Sequence, residues 1–158
     1  MSTRSAIILK VRKEDLGKTV KFDKKKLPIP LKNWKEKWSD ESVKEKSKEV
    51  TLSHEYIGIY CHWDGDLDGV GAVLKEHFTN YDAVLNLIAG GDCSSIWYDG
   101  VKHYANRKGE EWKYIAPKQH ELWYGVSDNI GHDGCVYVFA DVCAILERDG
   151  WTFNGKKI

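Results

Sequence analysis

From residue 56 to residue 63 apolar and polar side chains alternate. Ile57, Ile59, Cys61 and Trp63 fall on one side, and Tyr56, Tyr60 and His62 on the other, which predicts a half-buried strand. Soon after, Val70, Val73, Leu74 and Phe78 recur at the spacing of one helical face. Between the two patterns lies a polar turn with Asp64, Gly65, Asp66, Asp68 and Gly69. A strand that passes through polar residues into a helix N-terminus leaves backbone N–H groups unpaired, where the helix dipole favours an anion. The rest of the chain is organised around this stretch.

The β-branched run Ser5 to Val11 predicts an internal strand. Val20 and Phe22 alternate with lysines, the pattern of a short edge strand whose charges discourage aggregation. Pro28 and Pro30 then break the chain. From Leu31 to Lys48 the residues are mostly Lys, Glu and Ser, with Trp34 and Trp38 four apart. This predicts a mobile helical excursion anchored by the two tryptophans.

Thr79-Asn-Tyr-Asp82 has capping-box form, and Tyr81, Val84, Leu85 and Ile88 line one face of a second short helix ended by Gly90-Gly91. Gly90-Gly91-Asp92-Cys93-Ser94-Ser95 reads as a glycine-to-hydroxyl loop. Residues 96–116 alternate aromatic and polar groups around Asp99-Gly100 and Lys108-Gly109, as in a hairpin or meander. Lys118 to Gly134 reads as irregular. Cys135 to Ala140 and Val142 to Glu147 read as strands, and Arg148-Asp149-Gly150 turns the chain into Trp151-Thr-Phe153, a closing hairpin. Strands with two clustered helices predict an α+β fold. The expectation is one domain over 1–158, with a mixed or antiparallel sheet, two short helices packed on it, and residues 12–53 a basic insertion.

The net charge is zero, which points to neither a nucleic-acid binder nor a trap for acidic ligands. Residues 1–50 nevertheless carry fifteen Lys and Arg against eight Asp and Glu, and the remainder is acidic. This reads as a solvated basic extension that also neutralises an acidic body, in preference to a dedicated polyanion site. Seven Trp and eight Tyr fill a small core or supply flat surfaces for stacking and self-association. Cys61, Cys93, Cys135 and Cys143 form no C-x-x-C pair and lie largely in apolar runs. With no signal peptide, they read as buried thiols in a reducing compartment. No apolar run reaches membrane-spanning length.

Asp64-x-Asp66-x-Asp68-Gly69 matches the first half of an EF-hand calcium loop, but the twelfth position is Lys75 rather than Glu. The competing reading is a polar turn in which Asp68 caps the helix, and no metal or cofactor is expected. His62 and Asp64 are suited to an acid–base pair or part of a metal site, though no H-x-x-x-H or H-E-x-x-H spacing supports the latter, or His62 bonds a neighbouring loop carbonyl. Gly65, Gly69 and Gly71 match neither Walker A nor the dinucleotide fingerprint, and they serve either close ligand approach or helix–strand packing. Arg4 precedes the first strand as a surface charge or a group projecting into a site. The ligand-binding candidates are Arg4, Tyr60, His62, Trp63, Asp64, Gly65, Gly69, Asp92, Ser94 and Ser95.

Several of these runs resemble a family of small phage and prophage proteins. The resemblance rests on Met1-Ser2-Thr3-Arg4-Ser5, Ile59-Tyr60-Cys61-His62-Trp63-Asp64-Gly65, Val70-Gly71 and Leu74, Leu87-Ile88, and Gly91-Asp92-Cys93-Ser94. It covers residues 1–11 and 54–100 well and the terminal hairpin loosely, and residues 12–53 are an elaboration absent from shorter members. Where members have an aromatic residue and Pro after Asp-Gly, this chain has Asp66-Leu67, and the terminal His-Arg-Asp-Arg of many members is missing. The resemblance implies a phage gene product acting in the cytoplasm of an infected bacterium.

The expected function is anti-defence: binding and sequestering a nucleotide-derived immune signal, a cyclic (oligo)nucleotide or an ADP-ribose derivative. A helix N-terminus suits phosphate, aromatics suit a base, and His, Asp and Ser suit ribose hydroxyls. The alternatives are a metal-independent lyase or phosphodiesterase that uses His62 and Asp64, and an inhibitor that docks on a host defence protein. A homo-oligomer fits the aromatic content, and neither a membrane nor sequence-specific nucleic acid is expected as a partner.

Overall fold

In the computed structural model, described over residues 4–29, 49–63, 68–98, 100–103, 117–120, 142–148, 150–153 and 156–157, the β-branched run near the N-terminus forms β1 (Ser5–Lys10). It is internal, as its composition predicts. One edge pairs antiparallel with β4 (Tyr56–Cys61), Ser5 opposite Cys61 and Lys10 opposite Tyr56. The other edge pairs parallel with β8 (Val142–Glu147), Ser5 beside Val142. Beyond β8 lie β9 (Gly150–Phe153) and β10 (Lys156–Lys157). Gly150 takes φ +112°, a conformation that L side chains rarely adopt, where the chain turns from β8 into β9.

On its other edge β4 meets two strands in succession. β7 (Lys118–His120) pairs antiparallel with Tyr56 to Gly58, and β5 (Cys93–Trp97) pairs parallel with Cys61. β6 (Gly100–His103) closes a hairpin on β5. The result is an eight-stranded mixed sheet, and the α+β expectation holds. Two expectations fail locally. Lys118–His120 is a strand rather than irregular chain, and Cys93 begins a strand rather than a hydroxyl loop. In both cases pairing to β4 supplies the order that local composition does not advertise.

The helices α1 (Val70–His77) and α2 (Tyr81–Ala89) connect β4 to β5. Val70, Val73, Leu74 and Phe78 are fully buried on the helix side of the sheet, with Ile57, Ile59, Ile7 and Leu9. Each such side chain contributes roughly 1.5–3 kcal/mol on burial. The N-cap of α1 is Gly69, with no side-chain cap, so the expected capping by Asp68 is not made. At the other end the Trp151 indole N–H donates to the Phe78 carbonyl at 2.8 Å, satisfying a group the helix leaves unpaired. The cap of α2 is Asn80 rather than Thr79: its Oδ1 accepts the Ala83 N–H at 2.8 Å. Ala83 to Ala89 are all buried, and Gly91 leaves the helix at φ +87°.

The described ends of the 12–53 segment pack onto this core. β2 (Thr19–Lys21) and β3 (Glu49–Thr51) make a separate two-stranded sheet. Ile29 and Leu52 are buried in the main hydrophobic cluster. Asn86 of α2 binds residue 23 twice, its Oδ1 accepting the Asp23 N–H and its Nδ2 donating to the Asp23 carbonyl, both at 2.9 Å. The Arg12 guanidinium lies 4.1 Å from the centroid of the Tyr81 ring, and the Arg12 N–H donates to the Tyr81 hydroxyl at 3.1 Å. The excursion expected over Leu31 to Lys48, and the strand expected over Cys135 to Ala140, lie outside the described residues. No helix among the described residues is long and apolar enough to cross a membrane.

Candidate functional site

Tyr60 and His62 are two residues apart at the end of β4, so alternation places them on one face, opposite the face on which Ile59 and Cys61 meet the helices. Their side chains touch. The Tyr60 hydroxyl and the His62 Nδ1 are 2.7 Å apart, and both residues are half-buried. Ser5 stands opposite Cys61, so continuing that register by one step sets Arg4 across from His62. Tyr60 and His62 thus lie at one end of the sheet on the side away from α1 and α2, and the extended register brings the Arg4 backbone to the same end.

The Tyr60–His62 bond has a chemical consequence. When the hydroxyl donates, Nδ1 is the acceptor and the neutral ring carries its proton on Nε2, which becomes a donor for an anionic or carbonyl oxygen. In the opposite tautomer Nδ1 donates to the phenol oxygen, and Nε2 becomes a proton acceptor. The same pair therefore serves binding in one state and general-base chemistry in the other.

The flanking candidates separate into groups. Trp63 lies where the strand has ended. It is 48% exposed, against the core position that its alternation predicts, and its ring stands perpendicular to His62 at 4.9 Å between centroids. An aromatic surface beside a hydrogen-bonding histidine can stack on a planar ligand. Gly69 is buried at the start of α1. That helix packs on the face opposite Tyr60, so a ligand reaching both must lie across the end of the strand. Asp64 and Gly65 lie outside the described residues, as does Asp66 of the calcium-loop reading, and Asp68 is exposed.

Asp92, Ser94 and Ser95 sit at the junction of β4 and β5. Asp92 is buried, and its Oδ1 accepts the Tyr60 backbone N–H at 3.0 Å. That N–H falls between the part of the edge paired with β7 and the part paired with β5. The carboxylate thus stands in for a strand and holds the backbone under the Tyr60–His62 pair. Ser94 is 3% exposed and its carbonyl accepts the Trp63 N–H at 3.0 Å. Ser95 is half-buried. Sequence reasoning offered Asp92 to a ligand. Its backbone role depends on a register between residues 32 apart, which no local motif signals.

A second exposed aromatic group lies at the β5–β6 turn. Trp97 and Tyr98 are 44% and 39% exposed, and His77 of α1 packs edge-on against Tyr98. A hydrogen bond to the Glu76 carboxylate, then burial, raises the Tyr98 hydroxyl above its ordinary range. Among the described residues no group of three His, Cys, Asp or Glu side chains is placed to hold a metal ion. No family model, curated protein or solved structure matches this chain.

Proposed function

We propose that the chain binds and sequesters a nucleotide-derived signalling molecule, a cyclic (oligo)nucleotide or an ADP-ribose derivative, in a phage-infected bacterium. The observation that carries the reading is the Tyr60–His62 hydrogen bond at the end of β4, next to an exposed Trp63, with Arg4 one residue before the Ser5–Cys61 register pair. Arg4 supplies a charge for phosphate, His62 Nε2–H a directional donor, and Trp63 a flat surface for a base. The phage setting is supported by the resemblance of the N-terminal and Tyr-Cys-His-Trp-Asp-Gly runs, and an anti-defence role follows from that setting.

A second reading has its own support in the Tyr60–His62 pair. With the proton on Nδ1, His62 is a general base for a metal-independent lyase or phosphodiesterase acting on the same class of ligand. One experiment separates the two. The protein is incubated with a panel of cyclic nucleotides and ADP-ribose derivatives, freed of unbound ligand and heat-denatured, and the released material is identified by mass spectrometry. Intact ligand is the expected result. New products favour the enzyme, and retention of no panel member favours docking on a host protein instead.

A further inference from the structure

Four buried polar side chains form one row across the sheet. Ser5 of β1 is the register partner of Cys61 of β4, Cys61 of Cys93 of β5, and Cys93 of His103 of β6. All four are 0% exposed. Cys61 and Cys93 both belong to the helix-side core, so their side chains leave the sheet on the same face. Neighbouring strands run about 4.8 Å apart, and a disulfide spans Cα separations of roughly 4.4–6.8 Å. Neither cysteine is in a disulfide. Each thiol instead donates to a nearby carbonyl, Cys61 to Trp63 and Cys93 to Gly91, at 3.8 Å.

We propose that Cys61 and Cys93 form a dithiol oxidation site whose disulfide fastens β4 to β5. The co-reactant is a low-molecular-weight disulfide. The Cys61 thiolate attacks one of its sulfurs, forming a mixed disulfide and releasing one small thiolate. The Cys93 thiolate then attacks the Cys61 sulfur, closing the Cys61–Cys93 bond and releasing the second. Two protein thiols lose two electrons, the small disulfide gains them, and the two protons leave with the released thiols.

Neighbours in the row assist each end. The Leu87 carbonyl lies 3.0 Å from His103 Nε2 and can only accept, so the proton of the neutral ring is on Nε2 and Nδ1 is the accepting nitrogen of the residue that pairs with Cys93. Next to Cys61, the Ser5 hydroxyl has no hydrogen-bond partner among the described residues, and by rotating it can donate to a sulfur anion.

Access comes through the joint itself. β4 and β5 share one register pair, flanked by the His62 N–H bond to the Cys93 carbonyl, the Trp63 N–H bond to the Ser94 carbonyl and the Tyr60 N–H bond to Asp92, whereas β1 and β4 share six register pairs. The β4–β5 seam is therefore the edge of β4 that parts more readily. The new bond would tie the strand bearing Tyr60 and His62 to the segment bearing Asp92 and Ser94.

The test equilibrates the native, full-length chain with oxidised glutathione, traps remaining thiols by alkylation, and maps the peptides without reduction. A Cys135→Ala/Cys143→Ala variant is run in parallel. The expected product is a Cys61–Cys93 cross-linked peptide in both proteins, with a melting temperature above that of the reduced form. Recovery of both cysteines as thiols, their capture only as glutathione adducts, or linkage of either to Cys135 or Cys143 overturns the proposal. Cys93→Ser should leave Cys61 as a glutathione adduct and abolish the rise in melting temperature. A persistent rise in that variant also overturns it.

Discussion

The Asp92 carboxylate accepts the Tyr60 backbone N–H at 3.0 Å, where the edge of β4 passes from one partner strand to another. Removing it strands a backbone donor. Asp92→Ala is expected to destabilise the fold by about 1–3 kcal/mol. Asp92→Asn, which keeps an acceptor oxygen, should cost less. Urea melts of the two variants check the order, and equal losses would mean that the hydrogen bond is not what Asp92 contributes.

Gly90 lies against the imidazole of His103, so closely that an added Cβ would overlap the ring. Its backbone, at φ −71° and ψ −9°, suits any residue. The cost of Gly90→Ala is therefore steric, about 1–3 kcal/mol as for other overpacked core sites. Gly90→Ala with His103→Ala should recover part of it in a double-mutant cycle, and strict additivity would rule the contact out as the cause.

Where the 12–53 segment meets α2, Tyr81 gives a pH dependence with a definite sign. Burial, helped by Asp15, raises its hydroxyl from 10.0 to about 12, against the lowering effect of Arg12. The folded state holds this proton after the unfolded chain has lost it. Stability from Tyr81 is thus complete below 10.0 and falls as pH rises towards 12. Tyr56, raised chiefly by burial, acts in the same direction. Tyr81→Phe should flatten part of the alkaline decline in melting temperature. Asp15, lowered from 3.8 chiefly by its hydrogen bond to Tyr81, has the opposite sign. Its contribution is present above 3.8 and disappears as pH falls through the lowered value, so Tyr81→Phe should also weaken the acid-side dependence.

At the candidate site, His62→Ala should weaken ligand retention by roughly 1–3 kcal/mol, the loss of one hydrogen bond among several. Tyr60→Phe removes the hydrogen bond to His62 Nδ1 and should weaken retention less. If the protein instead turns its ligand over, His62→Ala should cut the rate by about a hundred- to ten-thousand-fold while retention survives. Equilibrium dialysis and product analysis on the same samples distinguish these outcomes. Unchanged retention in both variants would move the site elsewhere.

Calcium provides a separate check on the aspartate turn. Lys75 stands where an EF-hand loop needs its bidentate Glu, so millimolar calcium is expected to give no rise in melting temperature beyond that seen with magnesium. A calcium-specific rise would make Asp64, Asp66 and Asp68 a metal site.

Local periodicity made β1, β4 and both helices legible, because each has an apolar face whose spacing is written in consecutive residues. The hairpins at Asp99-Gly100 and Asp149-Gly150 were legible from turn chemistry. β7 was not, since Lys118-Gln119-His120 has no strand composition and is ordered by the edge of β4. Asn80 displaced Thr79 as the cap of α2 because the helix starts one residue later than the capping box suggests. The meeting of Tyr60 and His62 follows from two-residue alternation. The approach of Arg4, the service of Asp92 and the Cys61–Cys93 row each depend on strand register, which a single sequence does not display.

The parallel pairing of β1 with β8 bears on how the chain is made. Ser5 emerges from the ribosome long before Val142, yet the two are neighbours in the finished sheet. Until β8 has been synthesised, β1 offers a bare, strongly apolar edge of the kind that templates wrong pairings. The contact also joins positions separated by most of the chain, which slows folding. A truncation before β8 should therefore yield an aggregation-prone product rather than a smaller working protein, and expression at low temperature or alongside a chaperone should matter more here than the modest size of the chain suggests.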